Sequence, residues 1–156
     1  MRYKLYLVLL LLSVSITACD DSRVFEDFQT IKDDAWYINQ KPCFYIDVQD
    51  TLSEHSIYFN LRHTGTYKYS NLFVLFTIQG PKAKAETRRL EFKLAEPDGK
   101  WLGSGLGDMY SHQIKVIENI KFPRKGVYSF SIEQNMRDNP LNGIEDVGIR
   151  IEKNKE

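Results

Sequence analysis

Two cysteines, three histidines and one glycine cluster are where this sequence could concentrate chemistry. His55, His63 and His112 fall on separate segments, without the close spacing by which imidazoles share a zinc ion. Cys43 has no neighbouring Cys or His, so zinc and redox chemistry both lack a motif. Gly103-Ser104-Gly105-Leu106-Gly107 has the glycine density of a phosphate-cradling loop. It lacks a closing Lys-Ser/Thr pair and no amphipathic helix follows it, so it reads as a flexible loop. Asp98 and Asp108 flank the cluster in turn settings, where carboxylates satisfy backbone donors. No serine occupies a nucleophile elbow. The expectation is no catalytic set, no metal, no cofactor, and a chain that is not an enzyme.

The other cysteine closes a sharper pattern. Arg2 and Lys4 precede the apolar run Leu5 to Val14, which is too short to be a confident membrane span. Ile16-Thr17-Ala18-Cys19 then gives an aliphatic residue, two small ones and a cysteine. That arrangement resembles the lipobox of bacterial lipoproteins, in which the thiol takes lipid and the leader is cut before it. Residues 1–18 are therefore expected to be a signal peptide and Cys19 the lipidation site. Several acyl chains at about 0.8 kcal/mol per buried CH₂ would hold the protein at a membrane firmly. Cys43 is then left alone at the start of a strand-like run, and is expected to be buried and reduced.

Those residues need a scaffold, and the pattern behind them is β. Removing an 18-residue leader leaves 138 of 156 residues, enough for one core. Without Arg2 and Lys4, 19 basic residues face 21 acidic ones, which lacks the footprint of a nucleic-acid binder. Residues 19–35 carry Asp20, Asp21, Glu26, Asp27, Asp33 and Asp34 against Arg23 and Lys32, and read as an acidic tether. From Trp36 onward, apolar residues alternate with polar ones. Phe44/Ile46/Val48, Ile57/Phe59/Leu61, Leu90/Phe92/Leu94, Tyr128/Phe130/Ile132 and Val147/Ile149/Ile151 each mark a half-buried strand. Leu72 to Ile78 is apolar on both faces and reads as a central strand. Ile114 to Phe122 is a weaker strand, with a bulge expected where Val116 and Ile117 adjoin. Gly80-Pro81, Pro97-Asp98-Gly99 and Asn142-Gly143 punctuate the runs as turns. No helix of ordinary length appears, and Glu133 to Asp138 could form at most one turn. The predicted domain, residues 36–153, is an antiparallel β-sandwich, immunoglobulin-like or jelly roll.

Four aromatics fall outside the alternation: Tyr67, Tyr69, Trp101 and Tyr110. Trp101 and Tyr110, with Leu102, Leu106 and Met109, give the segment from Pro97 to Tyr110 a dense apolar content for a surface connection. Large amphipathic rings on loops suit contact with protein or with sugar. Equally, they could close the open end of the sandwich. These seven residues are the candidate partner-binding set.

Four segments, RHTGTYKYSNLFVLFTI from Arg62, LAEPDGKWLGSGLGDMY from Leu94, FPRKGVYSFSIEQNMR from Phe122 and LNGIEDVGIRIEK from Leu141, resemble the gliding-motility lipoprotein H family (GldH) of Bacteroidota. The resemblance runs from about Trp36 to Lys153 and includes the Cys19 lipobox. It implies a lipid-anchored envelope protein, at the outer membrane, in the gliding machinery and its associated type 9 secretion system. It also implies a non-enzymatic role beside other gliding and secretion lipoproteins, and carries over only Cys19 as a site. The residues themselves keep a glycan-binding module open as the alternative.

Overall fold

A computed structural model describes residues 22–155. The expected leader and Cys19 lie outside those residues. Eleven strands follow one another: β1 (Arg23–Thr30), β2 (Ala35–Trp36), β3 (Cys43–Val48), β4 (His55–Thr64), β5 (Asn71–Gln79), β6 (Glu86–Lys93), β7 (Ser104–Leu106), β8 (Met109–Ile120), β9 (Gly126–Gln134), β10 (Leu141–Asn142) and β11 (Ile144–Lys153). They form one sheet in the order β1-β11-β4-β8-β7 and a second in the order β3-β9-β5-β6, with β10 and β2 as a small pair.

That order decides between the two sandwiches left open above. The chain pairs β1 with β11, β3 with β9, β4 with β8 and β5 with β6, all antiparallel. This is one long hairpin rolled onto itself, the jelly roll. The apolar phase of each strand faces the other sheet, as alternation requires. Ile57, Phe59 and Leu61 with Val147, Ile149 and Ile151 form one buried layer; Leu72, Val74, Phe76, Phe130 and Ile132 form the other. Phe59 and Phe92 stack at 4.9 Å between ring centroids. β5 is the interior strand its composition suggests; the Arg89 guanidinium, 4.0 Å from the Phe73 ring, covers part of its outer apolar face. The bulge falls where expected, since Tyr58 pairs with Lys115 and Ile57 with Ile117, which leaves Val116 extra.

Four expectations need correction. The acidic tether over 19–35 is too long: Arg23–Thr30 is an edge strand on β11, Ile31 is buried, and its N–H donates to Glu145 O at 2.7 Å. Carboxylates made the segment look solvated, but Glu26 faces outward and receives Arg150 at 3.2 Å and Asn60 at 3.1 Å. Cys43 is half-buried rather than buried. The alternation that buries Phe44 and Ile46 sends residues 43, 45 and 47 to the outer face. Ser104–Leu106 is no flexible loop but a strand hairpinned onto β8, with Gly107 at φ 66° in its two-residue turn. Glu133 to Asp138 forms no helical turn. There the Gln134 side chain accepts from the Met136 N–H at 2.9 Å and donates to Asp138 O at 3.0 Å.

Candidate functional site

The segments outside the alternation meet at one end of the sandwich, opposite the end where β1 begins and β11 stops. His63 continues the inward phase of Ile57, Phe59 and Leu61 on β4, and β8 brings His112 beside it. Their Nε2 atoms lie 3.0 Å apart. The His63 Nδ1–H donates to Thr64 O at 2.9 Å, which leaves its Nε2 as an acceptor for the His112 Nε2–H. Around His63 stand Trp101 at 4.4 Å, His112 at 5.1 Å, and Tyr67 and Tyr110 at 5.5 Å between centroids. Tyr69 packs edge-on against Tyr67.

The Trp101 ring is delivered by a short hairpin. The Pro97–Gly99 turn is closed by the Glu96 N–H on Lys100 O at 2.8 Å, and Leu102 N–H returns to Leu94 O at 2.8 Å. Next in sequence, Gly103 lets the chain pass over the histidine pair. A Cβ there would meet His112 Nε2 and Ser111 O at 2.7 Å, so only glycine fits.

The seven candidate residues therefore divide. Tyr67, 2% exposed, belongs to the core, and its hydroxyl donates to Asn71 O at 2.8 Å. Tyr110 lies on β8 rather than on a loop, facing inward. Trp101, Tyr69, Tyr110 and Met109 are half-buried, while Leu102 at 48% and Leu106 at 91% protrude. What emerges is a packed aromatic cluster with Leu102 exposed on its hairpin and Leu106 exposed on the outer face of β7. The histidine pair was missed because the two residues are 49 apart in sequence. Its signal was present, since His63 and His112 each continue an inward-facing apolar phase.

Chemically the pair is quiet. Among the described residues, no three His, Cys, Asp or Glu side chains gather as a metal site. Burial holds the His112 imidazole down at about 4, with repulsion from His63 as the second cause. Burial also lowers His63, against the raising effect of its bond to Thr64. The unfolded chain takes up these protons near 6.5, whereas the folded chain refuses the His112 proton until about 4. Between those values the unfolded state binds more protons, so stability falls as pH drops. His112→Gln keeps an N–H for His63 and removes that titration. It should flatten the fall in melting temperature between pH 6.5 and 4 by about 5 °C. A slope equal to that of the wild type would show that the pair is not the titrating element.

With this geometry in place, likeness to known proteins becomes informative. Residues 23–151 match the GldH lipoprotein family. The chain belongs to that family. It is 35% identical over 147 residues to a gliding motility lipoprotein GldH homolog of Christiangramia forsetii, covering 90% of each chain. It is 32% identical over 160 residues to the gliding motility lipoprotein GldH of Flavobacterium johnsoniae, covering 98% of this chain and 99% of that one. Among solved structures, a GH115 4-O-methyl-α-glucuronidase with specificity for decorated arabinogalactans aligns with 91% of this chain and 19% of its own, at 10% identity. Its TM-score of 0.43 is too low to argue from. The family match starts at the first residue of β1, in keeping with a domain that includes this strand.

Proposed function

We propose that this chain is a lipid-anchored envelope protein of the gliding-motility apparatus, acting by assembly with other envelope proteins rather than by catalysis. Its anchor is Cys19, its site the outer membrane, and its partners are components of the motility and associated type 9 secretion machinery. The observation that carries the assembly reading is the pair of protruding leucines at this end of the sandwich, Leu102 and Leu106, each on a base of backbone hydrogen bonds, to Leu94 O and in the β7–β8 ladder. Burying such a leucine contributes ~1.5–3 kcal/mol, and a preorganised base loses little entropy when a partner closes on it.

A sugar platform would need flat ring faces open to solvent. Here Tyr67 is buried and Trp101 is turned against His63, so the glycan reading has less surface to work with. Affinity purification from envelopes, run beside a glycan array, separates the two. Protein partners without glycan binding support assembly. Glycan binding that is lost in Trp101→Ala would overturn it.

A further inference from the structure

The end of the sandwich opposite the aromatic cluster has its own character. β1 starts there, paired with the last turns of β11 through Arg23 and Glu152, and the Lys153 N–H donates to Ser22 O at 2.7 Å. Cys19 is three residues before Ser22, and three residues span at most ~10 Å. The β5–β6 and β8–β9 connections close at this same end and enclose a groove of about 550 Å³. Ile78, Ile117, Ile120 and Tyr128 give it an apolar lining, and its charged lining is Lys82, Lys84, Arg88 and Arg124 against Glu86 and Glu118. Leu52, 85% exposed, projects from the neighbouring β3–β4 connection.

We propose that this end is a bilayer-contact face, the groove and its basic residues seating on the anionic phospholipid of the leaflet that holds the anchor. This rests on the reading of Cys19 as the lipidation site. Three observations carry it. The short lead from Cys19 keeps this face against the membrane, so lipid is the surface it meets at high effective concentration. The charge is also of the right sign. Lys82, Lys84, Arg124 and neighbouring Lys125 make no ion pair among the described residues, whereas the groove carboxylates are taken up, Glu118 by Lys115 at 2.6 Å and Glu86 by Arg88 at 3.9 Å. Finally, a lining that joins isoleucines and a tyrosine ring to basic side chains matches the two chemistries of a lipid, hydrocarbon and phosphate.

The arrangement also sets orientation. The ten residues of β11 span about 30 Å, so the protruding leucines at the other end are held away from the bilayer.

Among the described residues, 22–155, both sheets close over one continuous buried core, so the domain without Cys19 is expected to fold by itself. Purified, it should co-sediment with phosphatidylcholine vesicles that contain phosphatidylglycerol and not with pure phosphatidylcholine. A Lys82→Glu/Lys84→Glu/Arg124→Glu variant should bind the anionic vesicles roughly a hundredfold more weakly. A variant of equal charge at the other end, Lys32→Glu/Lys100→Glu/Arg137→Glu, should bind as the wild type does. No binding to anionic vesicles, as when the groove serves a protein, overturns the proposal, and so does equal loss in both variants. Because the domain lacks Cys19, these outcomes are independent of whether that residue carries lipid.

Discussion

Cys19→Ser is expected to abolish lipidation and with it the firm anchoring of the mature domain. The thiol is the group at that position that can form the thioether to lipid. No helix among the described residues is long and apolar enough to cross a bilayer. The apolar phases of the strands are spent on the core, while the outer faces carry groups such as Glu26, Arg62 and Arg150. Unlipidated, the chain keeps only the weak attraction of its basic end for anionic lipid, against several acyl chains at about 0.8 kcal/mol per CH₂. Fractionation with metabolic palmitate labelling should show an uncleaved or released species without label. Unchanged fractionation and cleavage would contradict the lipoprotein assignment.

The second large effect is a contrast between the two tryptophans. Trp36 is fully buried, pairs with Leu141 across β2 and β10, and donates from its indole to Gln40 O at 2.9 Å. Trp36→Ala should lower stability by ~3–5 kcal/mol, which in a domain of this size is about 10–20 °C of melting temperature. Trp101 is half-buried and packs on His63 with one edge. Its loss to Ala should cost about 2 kcal/mol, roughly half as much. Thermal unfolding of the two variants reads the difference directly. A drop for Trp101→Ala as large as for Trp36→Ala would make the hairpin part of the core and remove it as a contact surface.

Sequence periodicity made the sandwich legible because each strand buries one face and a period of two survives in the residues. It could not supply strand order, which depends on contacts far apart in sequence: β1 pairs with β11, 116 residues separating Thr30 from Asp146. β1 itself was illegible for a local reason. Its inward positions include Asp27 and Gln29, so an edge strand looked like a polar linker. Cys43 was misplaced although its phase was readable, because the burial habit of cysteine outweighed the alternation around it. The aromatic set was found in sequence as an exception to the pattern. Its organising centre was not, since His63 and His112 meet only once β4 and β8 pair.

The measurement that bears most directly on the assembly account is quantitative recovery of envelope partners by a Leu102→Asp/Leu106→Asp variant. Both side chains protrude, so the variant should unfold within about 2 °C of the wild type. Each leucine buried in a partner is worth ~1.5–3 kcal/mol, so the double change should weaken capture by at least about a hundredfold. Loss of the same partners with folding intact is the predicted result; recovery of every partner at wild-type levels would contradict it.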